Sequence, residues 1–374
     1  MDFDLTDDQR LLADSVNRLV ADRYADFEKR KAYIAAPKGY AAANWAAMAE
    51  MGLLGLPLSE EQGGFGGGPV ETLLVMEAFG RGLVVEPYLA TVVLGLGLLR
   101  RAGADADLLA QVAAGDLTLA FAHQERQARH DLQDVATTAR RDGDAWLLDG
   151  AKGVVLHGDS ADCVIVSART RGARRDRGGI GLFLLDPVTP GVTRRGYATQ
   201  DGLRAAEIVL EGARATLLAD DALALIELVT DEAIAALCAE ALGAMETLRD
   251  LTVDYLKTRQ QFGRAIGEFQ ALQHRAADML VATEQARSMT MYAAMMVQDL
   301  DAAARATALS AAKALVGKLA DQLGKEAVQL HGGIAMTEEY KAGHYFKRLA
   351  MFGVLFGDVD HHLRRVVAAG GLPD

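Results

Sequence analysis

The order of apolar and polar positions divides the 374-residue chain into helical, then β, then again helical stretches. Near the N-terminus, Leu12, Val16, Leu19 and Val20 recur at the spacing of one helix face. Thr6 with Gln9 predicts a capping box ahead of that helix, and Asp7 and Asp8 suit the positive end of its dipole. A second helical stretch carries Trp45, Met48 and Met51 and runs into the glycine-rich segment Gln62–Gly68. Helical spacing resumes over residues 70–80 and 83–114, with a break near Pro87.

After Gly115 the pattern changes. Short apolar runs at residues 145–148, 163–167, 182–185 and 207–210 are separated by turn signals such as Asp142-Gly143-Asp144 and Asp149-Gly150. They read as antiparallel β structure, with the basic stretch 170–179 as an exposed loop. From about Asp221 the helical pattern returns: Ala235, Ala239, Leu242 and Met245 line one face, as do Leu315, Leu319 and Leu323. The expected fold is mainly α with a β middle domain. An N-terminal helical domain covers residues 1–117, an antiparallel, barrel-like β domain 118–222, and a C-terminal four-helix bundle 223–374.

Composition narrows the function classes. Hydrophobic residues make up 51% and charged residues 24%, as in a globular protein, and a net charge of −12 argues against a nucleic-acid partner. It leaves room for an anionic small ligand held by a few donors. Cys163 and Cys238 are the only cysteines, so no disulfide framework is implied, and the neighbours His361 and His362 point different ways on a helix. No metal site is expected. The acidic N-terminus lacks a signal-type apolar run, and the most apolar segment, 83–99, is interrupted by Glu86, Pro87 and Gly95. No membrane span is expected, and the expected location is cytoplasmic.

Three segments carry candidate chemistry. Arg259 ends a long helix just before Phe262 and Gly263; an arginine there suits a phosphate, and it equally suits a plain helix C-terminus. Gln329-Leu-His331-Gly332-Gly333 follows another helix, and its paired glycines admit either a close ligand or a simple helix–helix turn. Lys152-Gly-Val-Val-Leu156 is a weaker signal in the β region. The glycine run 63–68 lacks the lysine and hydroxyl of a phosphate-binding loop and reads as a surface loop.

Taken together and in order, these motifs resemble the acyl-CoA dehydrogenase family over essentially the whole chain. The resemblance rests on Gly52-Leu-Leu-Gly-Leu, Glu61-Gln-Gly-Gly64 and Glu77-Ala-Phe-Gly80-Arg81; on Leu148-Asp-Gly150-Ala-Lys152; on Arg259-Gln-Gln-Phe-Gly263 with Gln270; and on Gln329-Leu-His-Gly-Gly333. It implies FAD as cofactor, with Arg259, Phe262 and Gln270 reaching a cofactor bound mainly by a neighbouring subunit. Gln329, Gly332 and Gly333 would approach its adenine and pyrophosphate end. It also implies a homo- or hetero-oligomer, an acyl-CoA substrate oxidised to a 2-enoyl-CoA, and an electron-accepting flavoprotein or similar acceptor.

Departures from the family pattern are as informative. The usual glutamate base of the last segment falls on Phe356 or Gly357, neither of them a base, and Asp358 is the nearest substitute. An alternative base position in the first helix of the bundle falls at about Ala233, with Glu232 just before it and Ile234 where an arginine often stands. Val154-Val155-Leu156 replaces an aromatic–aliphatic–hydroxyl triplet, so Leu156 offers no hydroxyl to the flavin, and His123-Gln124-Glu125 stands for a Thr-Glu-Pro-like segment. This set of departures resembles subunits of the small, pimeloyl-CoA dehydrogenase type. Two classes stay open: a dehydrogenase subunit, and a non-catalytic subunit that completes the FAD site or the assembly of a heteromer.

Overall fold

The computed structural model describes residues 5–371. Along the chain come α1 (Asp7–Tyr24), α2 (Phe27–Ala35), α3 (Ala42–Glu50), α4 (Pro69–Gly82), α5 (Gly97–Arg101) and α6 (Ala106–Ala114). Seven strands follow: β1 (Leu119–Ala122), β2 (Thr138–Asp142), β3 (Ala145–Leu156), β4 (Cys163–Arg169), β5 (Ile180–Leu185), β6 (Val192–Ala198) and β7 (Arg204–Ala219). The chain ends in α7 (Leu223–Thr258), the hairpin β8 (Gln260–Gln261) and β9 (Arg264–Ala265), α8 (Gln270–Met296), α9 (Ala302–His331), α10 (Lys341–Val354) and α11 (Val359–Ala368). These elements form two compact units. One takes the residues up to Arg30, Pro69–Val84 and everything from Ile234 onward; the other takes Lys31–Gly68 and Val85–Ala233.

In the first unit, α1 begins with both halves of its capping box: Gln9 N–H donates to Thr6 Oγ1 at 3.2 Å, and Thr6 N–H to Gln9 Oε1 at 3.0 Å. Val16, Val20 and Tyr24 are its buried face, and it packs on α4. The crossing of α4 with α7 is made on glycine. A Cβ built on Gly80 would lie 1.9 Å from Glu240 O, and one on Gly243 would lie 1.9 Å from Glu77 O. The two backbones therefore touch at a distance that no side chain permits. That approach brings Glu77 and Arg81 of α4 against Glu246 of α7 and Arg287 of α8.

Arg81 bonds both carboxylates, reaching Glu246 Oε2 at 2.8 Å, while Arg287 bonds Glu246 and stands 3.7 Å from Glu77. Burial is the largest influence on Glu77 and raises its pKa, with Arg81 opposing it. Glu77, Arg81 and Arg287 border a cavity of about 590 Å³ whose remaining lining is mostly apolar, with Leu73, Leu74, Leu242 and Met291 among it. α9 is the hub of the bundle, with α8, α10 and α11 all packed on it. Ala312, Val316, Ala320, Leu323 and Ala327 are among its buried residues.

In the second unit, α3 buries Trp45 and Met48, and Trp45 Nε1 donates to the carbonyl of Gly115 at 3.1 Å. The break near Pro87 is followed by a π-helical turn over Leu89–Leu96, from which Thr91 exchanges two hydrogen bonds of 3.1 Å with the backbone of Leu119 in β1. The β region differs from the antiparallel expectation: its sheet is mixed. β1 pairs β4 in parallel, Leu119 opposite Cys163 through Ala122 opposite Val166, and β2 meets β4 in parallel at Thr138 and Arg169. β1 lies alongside residues 163–166 of β4, and β2 starts at the level of Arg169, so after the loop 123–137 the chain re-enters the sheet just beyond the end of β1 and runs on in the same direction. The β2–β3 hairpin and the turn after β3 then set β4 in that direction too. The remaining pairs, β2–β3, β3–β7, β7–β5 and β5–β4, are antiparallel and close the strands into a ring around Leu148, Val166, Phe183 and Ile208. β6 adds to the outside of β7.

No helix among the described residues is long and apolar enough to cross a membrane. Cys163 is half-buried and Cys238 buried, both as free thiols.

Gly243→Ala should lower the unfolding midpoint sharply, by an amount equivalent to about 3 kcal/mol, because the new methyl group meets backbone rather than a movable side chain. Gly353→Ala, in α10 with open space around its Cβ, should be neutral or stabilise by up to about 1 kcal/mol. Thermal and denaturant midpoints of the two variants check the pair.

Candidate functional site

The first cluster lies where α7 ends. Arg259 N–H closes the last helical turn on Tyr255 O at 2.9 Å, and Arg259 O accepts from Ile266 N–H at 2.9 Å, which shuts the base of the β8–β9 hairpin. At the tip, Phe262 takes a left-handed φ of 55° and is 90% exposed. A bulky residue in that conformation costs about 1–3 kcal/mol, and exposing its ring costs more. Phe262 meets Phe269 edge-on at 6.1 Å, and the Arg264 guanidinium lies 4.0 Å over the Phe269 ring. Phe269 is the N-cap residue of α8, so the hairpin is tied to Gln270, the exposed first residue of that helix.

The second cluster lies where α9 ends. His331 is buried; its Nδ1 stands 2.9 Å from Ala327 O, and its ring contacts Tyr255 at 4.7 Å and Tyr340 at 5.1 Å. Because the carbonyl can only accept, Nδ1 carries the proton, and burial lowers the His331 pKa, which keeps the ring neutral. The Tyr255 contact draws the end of α9 alongside the last turns of α7. Beyond it, Gly332 (φ 66°) and Gly333 are exposed, with nothing within 4 Å of a Cβ on either. Arg259, Phe262, Gln270, Gln329, Gly332 and Gly333 are thus all exposed, at adjoining helix ends of one unit.

Asp358 belongs to a different turn. It is exposed and is the N-cap residue of α11, its Oδ1 accepting His361 N–H at 2.7 Å. Phe356 and Gly357 precede it on a left-handed backbone, φ 56° and 119°. Glu232, the other carboxylate, is engaged in the second unit: it bonds Arg101 Nη1 at 3.0 Å and stands 3.7 Å from Arg100.

The second unit also holds a feature that spacing in the sequence did not reveal. The side chain of Lys152 is fully buried, and its ammonium donates to Glu125 Oε1 at 2.7 Å, Ser167 Oγ at 3.1 Å and His123 O at 3.3 Å. Glu125 also accepts the backbone N–H of Ala136 and Thr137. Burial draws the Lys152 pKa down to about 8, and Glu125 sits at about 2 because Lys152 and these donors outweigh its own burial. The pair anchors one side of a break in β3. Register is lost between Lys152 and Val155, Gly153 N–H bonds Gln124 O at 2.9 Å, and Val154 (φ 49°) is turned out to 37% exposure. Pairing resumes at Val155 opposite Ala206 and continues at Leu156 opposite Ala205. The only signal in the sequence was the presence of both ends, Glu125 and Lys152, in separate motifs.

These residues suit a flavin dinucleotide in chemical kind. An exposed arginine, an exposed aromatic ring and two open glycines match an anionic pyrophosphate and a flat ring.

Comparison with known proteins agrees over nearly the whole chain. Profiles of the acyl-CoA dehydrogenase N-terminal, middle and C-terminal domains match residues 6–115, 120–212 and 202–371. Acyl-CoA dehydrogenase IpdE2 of Mycobacterium tuberculosis is 32% identical over 343 residues, 91% of each chain. Among solved structures, a Tcur3481-Tcur3483 steroid ACAD variant superposes with a TM-score of 0.88 at 28% identity over 97% of each chain. The FAD complex of PigA does so with 0.88 at 26% identity over the full length of both. This chain therefore belongs to the acyl-CoA dehydrogenase family of flavin-dependent oxidoreductases acting on CH–CH groups.

Proposed function

We propose that this chain is an FAD-dependent acyl-CoA dehydrogenase subunit that converts an acyl-CoA thioester into its 2-enoyl-CoA, working as a homo- or hetero-oligomer. The observation that carries the reading is the gathering of six exposed signature residues at the adjoining ends of α7, α8 and α9. Arg259 holds the pyrophosphate through its guanidinium, and Phe262 and Gln270 reach out beside it. Gln329, Gly332 and Gly333 admit the adenosine end. These groups project away from their own unit's core, which is what a cofactor shared between subunits requires. When bound, FAD supplies the redox step by accepting the β-hydrogen as hydride.

Asp358 is the group of this chain that takes the α-proton. Its carboxylate stands at the mouth of the α10–α11 turn, beside the positions that hold the base in the family pattern. Glu232 is the weaker alternative because two arginines already engage it. The electron acceptor is a second flavoprotein or a similar carrier.

A second reading has its own support: Asp358 is already occupied as a helix cap, and one structural relative carries two gene products in its name. In that reading the chain completes the FAD site of a heteromer whose partner supplies the base.

Asp358→Asn separates the two, since asparagine caps a helix as well as aspartate does and only the base is lost. Turnover with acyl-CoA should fall roughly 10²–10⁴-fold while FAD stays bound; turnover close to wild type removes Asp358 from the reaction and favours the second reading. Arg259→Ala should weaken FAD binding by about 1.5–3 kcal/mol, the worth of hydrogen bonds to a charged group. Titration of the apoprotein with FAD measures it, and an unchanged affinity takes Arg259 out of the site.

A further inference from the structure

A buried cation sits directly behind the turn that carries Asp358. Lys313 of α9 is 1% exposed, and its ammonium donates to Phe352 O at 2.6 Å and Gly357 O at 3.1 Å while lying 4.1 Å from the Phe352 ring centroid. Phe352 O is one of the four last carbonyls of α10, which no helical N–H can satisfy, and it marks the negative end of that helix's dipole. His362 of α11 acts from the other side. It is fully buried, and its Nε2 lies 3.1 Å from Phe356 O, so the proton is on Nε2 and the ring is neutral; burial keeps it so. The carbonyls of Phe352, Phe356 and Gly357 are thereby gathered on two buried donors from two helices.

Between them the backbone is strained. Phe356 holds φ 56°, a conformation that a phenylalanine keeps only when its surroundings over-determine it. Gly357 has φ 119°, and a Cβ there would lie 2.6 Å from His362 Nε2. Asp358 is the next residue. Burial lowers the Lys313 pKa to about 8, so the ammonium is still charged at neutral pH.

We propose that Lys313 and His362 are positioning residues: they clasp the turn 355–358 in a single strained conformation and thereby set where the Asp358 carboxylate stands. The role rests on the reading that Asp358 takes the α-proton. The clasp itself does not.

The test uses the full-length, FAD-loaded protein and two variants, Lys313→Met and His362→Leu. Amide hydrogen exchange is read over residues 353–362, and kcat and KM are read with an acyl-CoA substrate. Each variant should speed exchange in this turn at least tenfold while leaving the middle of α9 unchanged. Each should lower kcat roughly tenfold to hundredfold, the cost of misplacing a reacting group by about 1 Å, with KM and FAD occupancy held. Adding Asp358→Asn to Lys313→Met should cost far less than it costs the wild type, because the lysine acts through that carboxylate.

Unchanged exchange in the turn overturns the clasp, whatever the activity. Faster exchange with wild-type kcat, or losses that simply add in the double variant, overturns the positioning role. If Lys313→Met does not fold, His362→Leu decides alone by the same exchange and kcat readings. An inactive wild type, or full turnover in Asp358→Asn, is instead a failure of the base assignment and leaves the exchange result standing.

Discussion

Contact between the backbones of α4 and α7 at Gly80 and Gly243 is the constraint from which much of the first unit follows. Two helices that meet without intervening side chains bring the polar residues flanking the contact within reach of one another. Glu77, Arg81 and Glu246 are so placed, and Arg287 of α8 completes the set. Removing any one member would leave the cluster with one uncompensated charge, which is costlier than never having buried the group. The crossing therefore determines where α8 can pack, and α8 carries Gln270 at its start.

Three of the strained residues lie in turns beside the candidate site residues. Phe262, Val154 and Phe356 all hold left-handed backbone, a conformation that bulky or β-branched residues avoid. Each is held by neighbours that leave no alternative: the closed base of the β8–β9 hairpin, the bulge beside buried Lys152, and the clasp of Lys313 and His362. In the last two cases a buried, well-bonded lysine supports a turn at an exposed edge. A rigid support beneath a projecting loop is the arrangement that keeps recognition groups in place without a ligand.

The two buried lysines play parallel parts. Lys152 satisfies a carboxylate, a hydroxyl and a carbonyl; Lys313 satisfies two carbonyls and lies against a ring. Both lose hydration, which pulls both pKa values down to about 8. Each remains worth burying because it gathers acceptors from different segments that would otherwise be unpaired.

Local pattern determined a good deal by itself. The capping box at Thr6 and Gln9, the long helices after Asp221, the β character of the middle region and the family were all legible, because each rests on spacing within a few residues or on motifs read in order. What only the tertiary structure decided depends on chain reversals and distant partners. The parallel pairing of β1 with β4 depends on where β2 re-enters the sheet after the loop 123–137, a stretch that carries no periodic signal. The engagement of Glu232 by Arg101 spans 131 positions, and that of Lys313 with Gly357 spans 44. A list of residues names candidate carboxylates, but which of them is already spent on an arginine or a helix cap is settled by what folding brings beside it.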